Sequence, residues 1–355
     1  MDAIHQMLAG MAFGDAIGND ARVIRDALRS WGYQSEMFAG HVDAQSAGEA
    51  HLYGEYKGFD GASSGLILHH SIGGPVTQTA LRARAKRMMV YHNITPAEFF
   101  EGYSPEMAAL TEEGRASLRT MRGQFAMSIA DSAYNACELI EMGYANVRVF
   151  PILIPFEYLD QPACERTLSR LEGGAKNILF VGRIAPNKKQ DDLITAFAYY
   201  QRIRPNSRLI LAGHYLPTER YYQALLQHIR NTGASNVILT GKVNQAELNA
   251  CYQRADLFVS MSEHEGFGVP LMEAMHFGIP VLAYKATAVP ETMDGAGVLF
   301  TEKHYPEIAE MMDMLIEDKG LRERVIAGQR GRVTAFLPER VLPRLRDIVS
   351  EFASL

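Results

Sequence analysis

The sequence predicts two α/β domains, each built on a doubly wound parallel sheet. The chain has 355 residues, about twice the length of a typical domain of roughly 150 residues. Short apolar runs alternate with longer amphipathic ones, which is the pattern of repeated βαβ units. Several amphipathic runs end at a glycine such as Gly233 or Gly278, as helices commonly do.

The second half of the chain shows this alternation most clearly. Its apolar runs predict strands over residues 177–181, 208–212, 236–239, 256–260 and 279–283. Its amphipathic runs predict helices over residues 191–203, 220–231, 245–254 and 270–277. Consecutive strands separated by helices of this length indicate a parallel sheet with helices on both faces.

The first half follows the same plan less regularly. Strands are predicted over residues 3–8, 35–38, 65–69, 87–91 and 147–153. Helices are predicted over residues 19–31, 76–85, 105–125 and 132–142. A glycine-containing loop joins the first strand to the first helix, so the chain opens with a β-loop-α unit.

A hinge is expected over residues 155–176, where both strand and helix periodicity lapse among prolines and glycines. It separates an N-terminal domain, residues 1–155, from a C-terminal domain, residues 156–337. The last segment, residues 338–355, is helical in pattern and precedes no further strand. We expect this helix to be available to pack back on the N-terminal domain.

Composition excludes several classes of protein. The apolar share of 47% and charged share of 21% are those of an ordinary globular protein. A net charge of -6 argues against nucleic acid as the main partner. The three cysteines, Cys137, Cys164 and Cys251, form no C-x-x-C pair, so no disulfide framework or zinc ribbon is indicated. No basic residue precedes Arg22, and no apolar run has membrane-spanning length. A cytoplasmic protein is therefore expected.

The most informative segment is 262–274, a glycine-containing loop that follows an apolar strand and opens a helix. Pro270 suits the first turn of that helix, so the amides near Gly268 should point outward at its positive end. Glu265 precedes the helix and Glu273 lies within it. Carboxylates there are good acceptors for the hydroxyls of a sugar or a ribose. A solvated Glu265 and a Glu273 that merely complements the helix dipole remain the alternative.

A second segment, 180–189, carries Arg183 and Lys188 on the loop after another apolar strand. Two cations on one loop can hold a diphosphate from two sides and neutralise its charge as it leaves. The alternative is a pair of ordinary loop cations in water.

These segments resemble the retaining glycosyltransferases of family 4, whose two Rossmann-like domains face a central cleft in the arrangement called GT-B. The E-x7-E element of that family matches Glu265 and Glu273, and its G-R-x4-K element matches Gly182, Arg183 and Lys188. The resemblance is specific over about residues 177–300 and thinner before that. A third element of the family, a G-x-V loop that follows a strand, matches Gly241, Lys242 and Val243.

The resemblance implies a role for each matched residue. Arg183 and Lys188 would hold the diphosphate of a nucleotide-sugar, Glu273 the ribose, and Glu265 the sugar ring. The amide-rich loop would also contact the sugar, through Gly266, Phe267, Gly268 and Val269. Residues 241–243 would line the base pocket.

In the N-terminal half, His92 resembles a strand-end histidine that meets the donor sugar. The loop that would close over the phosphates and reach the acceptor contains Gly14, Asp15, Gly18 and Asn19. This loop lacks the adjacent glycines of the family pattern. The resemblance further implies front-face displacement, in which the departing diphosphate helps to remove the acceptor proton, with no cofactor and no metal.

The expected reaction is transfer of a hexose to a glycan or a lipid-linked glycan. GDP-mannose is favoured as the donor, because residues 289–291 loosely resemble bacterial mannosyltransferases of surface-polysaccharide pathways, and UDP-hexoses follow closely. A nucleotide-sugar epimerase and a non-catalytic two-lobed sugar or phosphate-binding protein remain alternatives. A nicotinamide dehydrogenase is disfavoured, because no G-x-G-x-x-G follows a predicted strand.

Two further features concern contact with a membrane and binding of a metal. A basic cluster suits peripheral contact with an anionic membrane surface, although a solvated helix end explains it more simply. Its members are Arg82, Arg84, Lys86 and Arg87. The pair His69 and His70 is not expected to bind a metal, since neighbouring strand residues point to opposite faces and no carboxylate lies near in sequence.

Overall fold

The computed structural model describes residues 1–355 and divides them into two compact domains. The N-terminal domain comprises Met1–Glu98, Pro105–Pro155 and Phe336–Leu355. The C-terminal domain comprises Phe99–Ser104 and Phe156–Ala335. Each contains a wholly parallel sheet with helices, which confirms the predicted fold class. None of the helices combines the length and apolarity needed to cross a bilayer.

Seven strands form the N-terminal sheet, in the order β3-β2-β1-β4-β5-β6-β7. They are β1 (Ile4–Leu8), β2 (Met37–Ala39), β3 (His51–Leu52), β4 (Gly65–His70), β5 (Lys86–Tyr91), β6 (Met127–Ala130) and β7 (Val147–Val149). The helices of this domain are α1 (Ala16–Ser30), α2 (Pro75–Arg82), α3 (Pro105–Met121), α4 (Ala133–Glu141) and the terminal α14 (Pro338–Ser354). Three apolar clusters fill this domain, one around Tyr91 and Leu118, one around Ile67 and Phe352, and a small one around Leu8 and Met37.

Helix α14 belongs to the N-terminal domain although it ends the chain. Its apolar stripe, Val341, Leu345, Val349 and Phe352, is buried in the same cluster as Ile67. A side chain at Gly65 would meet the Phe352 ring at 2.9 Å, so the absence of a side chain in β4 permits this close packing. The last helix is thus part of the N-terminal core.

Six strands form the C-terminal sheet, in the order β10-β9-β8-β11-β12-β13. They are β8 (Lys176–Val181), β9 (Ser207–Ala212), β10 (Val237–Gly241), β11 (Leu257–Ser260), β12 (Val281–Tyr284) and β13 (Val298–Phe300). The longer helices are α7 (Gln190–Ile203), α8 (Arg220–Thr232), α9 (Gln245–Gln253), α10 (Val269–His276), α12 (Tyr305–Glu317) and α13 (Lys319–Thr334). The shorter helices are α5 (Phe156–Leu159), α6 (Glu165–Leu171) and α11 (Val289–Met293).

The structure differs from the sequence expectations in three places. The expected hinge, residues 155–176, contains α5 and α6, which are too short to show a clear period. Strands β3, β6 and β13, which have two to four residues each, were not predicted. The segment Phe99–Ser104 groups with the C-terminal domain rather than with the residues around it in sequence. Its rings explain this, since Phe99 lies 6.2 Å from the His264 ring and Tyr103 packs edge-on against Tyr221 at 5.1 Å.

Candidate active site

The two predicted donor segments meet at the carboxyl edge of the C-terminal sheet. Strand β8 pairs with β9 on one side and β11 on the other, so the strand order reverses at β8. Open parallel sheets bind ligands at such a switch point. The loops after β8 and β11 are tied there by Glu263, whose amide donates to the Asn187 carbonyl at 2.9 Å, and by Asn187 Nδ2, which donates to the His264 carbonyl.

Lys188 and Glu265 form an ion pair across these two loops. Lys188 Nζ lies 2.6 Å from Glu265 Oε2, and the side chains are 21% and 15% exposed. The pair brings the lysine of the G-R-x4-K element and the first acid of the E-x7-E element into direct contact. In the ligand-free protein, the acid expected to bind sugar thus holds the cation expected to bind phosphate.

The backbone of Glu265 is fixed by a residue that sequence reasoning did not select. Thr287 Oγ1 accepts from the Glu265 amide at 2.9 Å and donates to the Glu265 carbonyl at 2.8 Å. Thr287 adopts a left-handed φ of 45°, which is costly for a β-branched residue. The loop after β12, through Thr287, therefore positions the backbone of Glu265.

Arg183 lies at the start of the same β8 loop. Its Nη2 donates to Glu219 Oε1 at 3.0 Å, and 49% of its side chain is exposed. Gly182 has a φ of 152°, and its carbonyl would lie 1.9 Å from a Cβ at Gly213. Only glycine at position 213 allows this close approach, which brings the loops after β8 and β9 together.

Helix α10 begins at this edge without a side-chain cap. Gly268 precedes it with a left-handed φ of 95°, and Pro270 occupies its first turn. The preceding loop is held by Thr292, whose Oγ1 donates to the Phe267 carbonyl at 2.5 Å. The positive end of α10 thus faces the carboxyl edge of the sheet, beside Glu265.

Glu273 lies one turn further along α10 and is bonded to a neighbouring helix. Its Oε2 accepts from the Tyr252 hydroxyl at 2.6 Å. Burial raises the pKa of Glu273, and the hydrogen bond from Tyr252 opposes that rise. Tyr252 was not predicted as a site residue, because the link between α9 and α10 is visible only in three dimensions.

The expected base loop ends β10. Gly241 has a φ of 71° and forms a bridge to Gly213, so residues 241–243 lie beside the loop after β9. Asn244 then caps α9 by accepting from the Glu247 amide at 2.9 Å. The predicted donor residues of the C-terminal domain therefore lie at the carboxyl ends of its strands, in the loops that follow them, or in helix α10, which contains Val269 and Glu273.

In the N-terminal domain, His92 is enclosed by protein groups. Its Nδ1 lies 2.8 Å from Asp131 Oδ2, and its Nε2 lies 2.8 Å from His69 Nδ1. Both ring nitrogens are therefore occupied, and its side chain is 2% exposed. Contact of His92 with a donor sugar stays a prediction, and through a ring nitrogen it would require one of these two partners to be replaced.

The hydrogen bonds also fix the protonation of this cluster. Gln6 Nε2 donates to the Ala21 carbonyl, so Gln6 Oε1 faces His69 Nε2 and must accept from it. His69 Nδ1 then carries no proton and accepts from His92 Nε2. Because His92 Nδ1 donates to Asp131, His92 is an imidazolium.

Electrostatics agree with this assignment. Burial lowers the pKa of His92, but the charges of Asp131, Asp20 and Asp15 outweigh it and leave that pKa raised. Burial lowers the pKa of His69 well below its usual value. Burial also raises the pKa of Asp20 to about 7. The cluster is therefore a buried network of hydrogen-bonded and charged groups.

The proximity of Asp20 corrects one step of the sequence argument. Ligand atoms of Asp20, His69 and His92 lie within 4.8 Å of one another, so a carboxylate does lie near His69. Helix α1 supplies Asp20, which is why spacing along the chain did not reveal it. His70 points away, as expected, with its Nε2 near the Gly114 carbonyl.

The glycine-containing loop before α1 also differs from the expectation. Asp15 caps α1 by accepting from the Gly18 amide at 2.9 Å, and Asn19 Oδ1 accepts from Arg22. Gly14 supplies a left-handed φ of 77° at the turn. The Asp15 carboxylate thus accepts from the Gly18 amide, and a phosphate that binds this amide would have to displace it.

Two residues of the basic cluster in the same domain form hydrogen bonds within the protein. Arg87 donates to the carbonyls of Leu81, Ala83 and Gln124, and Lys86 Nζ donates to the Phe352 carbonyl. Arg82 and Arg84 remain exposed. Two of the four basic side chains therefore stabilise helix ends instead of presenting a membrane surface.

Comparison with known proteins finds a family match within the C-terminal domain. Residues 165–332 match the family model described as Glycosyl transferases group 1. The chain is 27% identical over 275 residues to a D-inositol 3-phosphate glycosyltransferase of Segniliparus rotundus, covering 74% of this chain and 58% of that protein. It is 26% identical to a GDP-mannose-dependent monoacylated alpha-(1-6)-phosphatidylinositol monomannoside mannosyltransferase of Corynebacterium glutamicum, covering 43% of this chain and 41% of that protein. The chain thus spans about half the length of these relatives.

A solved structure extends the comparison to the fold of the entire chain. Anabaena HepE, crystallised in complex with UDP and glucose, superposes with a TM-score of 0.74 and 20% sequence identity. The match covers 98% of this chain and 100% of that one. At this identity the likeness establishes the fold alone, and the fold is that of a GT-B protein.

Proposed function

We propose, from the match of residues 165–332 to the family model described as Glycosyl transferases group 1, that the chain is a retaining glycosyltransferase that takes a hexose from a nucleotide diphosphate sugar. The observation that carries the proposal is the Lys188–Glu265 pair at the switch point of the C-terminal sheet. A cation and an acid on adjacent loops, beside an uncapped helix start, suit a ligand that contains both diphosphate and sugar hydroxyls.

The proposed role of each residue follows from its charge. Arg183, Lys188 and the amino end of α10 provide positive charge for the leaving diphosphate, without a requirement for a metal ion. Glu265 accepts hydroxyls of the sugar ring, and Glu273 accepts hydroxyls of the ribose. Residues 241–243 lie where they can contact the base.

The proposed reaction exchanges one bond at the anomeric carbon for another on the same face. The bond from that carbon to the diphosphate oxygen breaks, and a bond to the acceptor hydroxyl oxygen forms. The acceptor proton passes to the departing diphosphate. The step needs no side-chain nucleophile, so no residue of the chain is assigned that role.

Mannose from GDP-mannose is the favoured donor, and a glycan or lipid-linked glycan is the proposed acceptor. Support comes from residues 289–291 and from a relative whose name specifies GDP-mannose. A UDP-hexose is the second candidate, favoured by the UDP and glucose bound to Anabaena HepE.

Thermal shift with GDP, UDP, ADP and their sugars tests the proposal. A ligand that binds only the folded state stabilises it by RT ln(1 + [L]/Kd), about 2.7 kcal/mol at 100 times Kd. We expect one diphosphate and its sugar to raise Tm, and GDP to give the largest shift. Release of free diphosphate in the presence of an acceptor would then separate a transferase from a binding protein.

A matched pair of arginine variants locates the binding. Arg183→Ala should weaken diphosphate binding, whereas Arg204→Ala should not, because Arg204 pairs with Asp313 at the end of α7. The absence of a shift with every nucleotide would overturn the proposal.

A further inference from the structure

Tyr252 occupies a buried position directly behind the acid proposed to bind ribose. It lies near the end of α9, is fully buried, and donates its hydroxyl proton to Glu273 Oε2 at 2.6 Å. A hydrogen bond to an ionised carboxylate is among the stronger ones in proteins. The hydroxyl therefore fixes one of the two carboxylate oxygens of Glu273.

The ring of Tyr252 is held independently of that bond. It stacks on Phe277 with ring centroids 5.0 Å apart and planes inclined by 10°. Its other aromatic neighbour, Phe258, lies at 6.5 Å and 21°. Because the rings set the position of the hydroxyl, Tyr252 orients Glu273 rather than the reverse.

The remaining oxygen of Glu273 is left for a ligand. Oε2 is engaged by Tyr252, and no protein group donates to Oε1. Glu273 is partly exposed, whereas Tyr252 is not. A carboxylate with one oxygen anchored and the other open presents a fixed acceptor to a hydroxyl pair.

We infer that Tyr252 is a positioning residue for ribose recognition, acting through Glu273. The inference rests on the proposed function, since it takes Glu273 to be the acid that meets the ribose. Tyr252 lies on α9, the helix that follows residues 241–243. The loop proposed to contact the base and the acid proposed to bind the ribose are therefore both connected to α9. The hydrogen bond to Oε2 also favours the ionised carboxylate, which opposes the rise in the pKa of Glu273 caused by burial.

The test measures GDP, 2′-deoxy-GDP and 3′-deoxy-GDP binding by calorimetry in the full chain. In the wild-type protein, loss of a ribose hydroxyl should weaken binding about tenfold. In Tyr252→Phe, GDP should bind about tenfold more weakly, and the penalty for the deoxy analogues should fall to about threefold or less. A merely structural loss would weaken all three ligands equally.

Tyr200→Phe is the matched control. Tyr200 is also fully buried in this domain, and its hydroxyl has no hydrogen-bond partner. This variant removes the same atom and should leave all three affinities unchanged. If Tyr252→Phe does not fold, Phe277→Leu keeps the hydroxyl but removes the stacked ring, and should weaken GDP binding and its discrimination about threefold.

The outcomes separate the inference from the proposed function. Equal affinities in wild type and Tyr252→Phe, an equal loss for all three ligands, or an unchanged Phe277→Leu would overturn the role of Tyr252. Wild-type protein that binds GDP and both deoxy analogues equally would overturn it too, while leaving the transferase in place. Should the wild type bind no nucleoside diphosphate, the proposed function fails first.

Discussion

Replacement of Glu265 by Gln should affect binding and turnover in opposite directions. Glu265 holds Lys188 at 2.6 Å in the ligand-free protein, with both side chains mostly buried. A diphosphate must compete with this carboxylate for the ammonium group and must also approach a negative charge. Glu265→Gln removes both obstacles while retaining the size and an acceptor oxygen of the side chain.

The expected magnitude follows from the strength of such pairs. A partly exposed ion pair contributes about 1 kcal/mol, and 1.36 kcal/mol corresponds to a factor of about ten. Glu265→Gln should therefore bind the nucleoside diphosphate up to about fivefold more tightly. Turnover should fall, because a neutral amide stabilises a partly cationic sugar less well than a carboxylate does.

Calorimetry with the free nucleoside diphosphate and steady-state rates with the sugar nucleotide would measure the two effects. Tighter binding together with slower turnover would support the arrangement. If Glu265→Gln instead binds the diphosphate at least tenfold more weakly, the proposed competition is refuted. Lys188 would then contact Glu265 and the phosphate at the same time, and Glu265 would favour diphosphate binding.

Three further outcomes are expected. Lys188→Met should weaken diphosphate binding about tenfold or more, whereas Lys176→Met, which breaks a similar ion pair at the amino end of β8, should not alter it in the same titration. Phe352→Ala should destabilise the N-terminal domain by about 3–5 kcal/mol in urea unfolding, because its ring is fully buried; a loss below about 1 kcal/mol would contradict the packing of α14. Asp20 has a pKa of about 7 in the fold against 3.8 as its ordinary value, so its contribution to stability is present below pH 3.8 and is lost as pH rises to about 7. The difference in Tm between the wild type and Asp20→Asn should therefore increase in favour of the wild type as pH is lowered from about 7 to 3.8. A difference in Tm that does not change with pH would refute the raised pKa of Asp20.

Local sequence signals predicted the elements that carry the donor loops. Strand β8 is a six-residue run followed at once by Gly182, and β11 precedes the loop that opens α10, so both signals are contiguous in the chain. Strand β6 was missed because its four residues follow a long amphipathic helix and lead directly into another. The final helix was recognised from its period, but the cluster that buries it includes Ile67, far away in sequence.

The difference between signals that are contiguous in the chain and contacts between distant residues also explains which parts of the site were predictable. Arg183 and Lys188 share one loop, so their proximity follows from spacing. The enclosure of His92 depends on Asp131 after β6, on His69 in β4 and on Asp20 in α1, and no local pattern brings these elements together. The resemblance that suggests a role for His92 therefore gives no information about the residues that enclose it.

Both basic residues of the donor loop are paired with acids before any ligand binds. Arg183 pairs with Glu219 and Lys188 with Glu265, so each positive charge proposed to meet the diphosphate is already neutralised. A diphosphate must then replace two carboxylates, which reduces its net gain but orients both cations in advance. Of the two pairs, Lys188 with Glu265 is the more buried, whereas half of the Arg183 side chain is exposed and screened by solvent. Added salt should consequently weaken the contribution of Arg183 to diphosphate binding more than that of Lys188, so the ratio of the Arg183→Ala and Lys188→Met effects should fall as ionic strength rises. An unchanged ratio would show that the two cations meet the diphosphate in equally shielded positions.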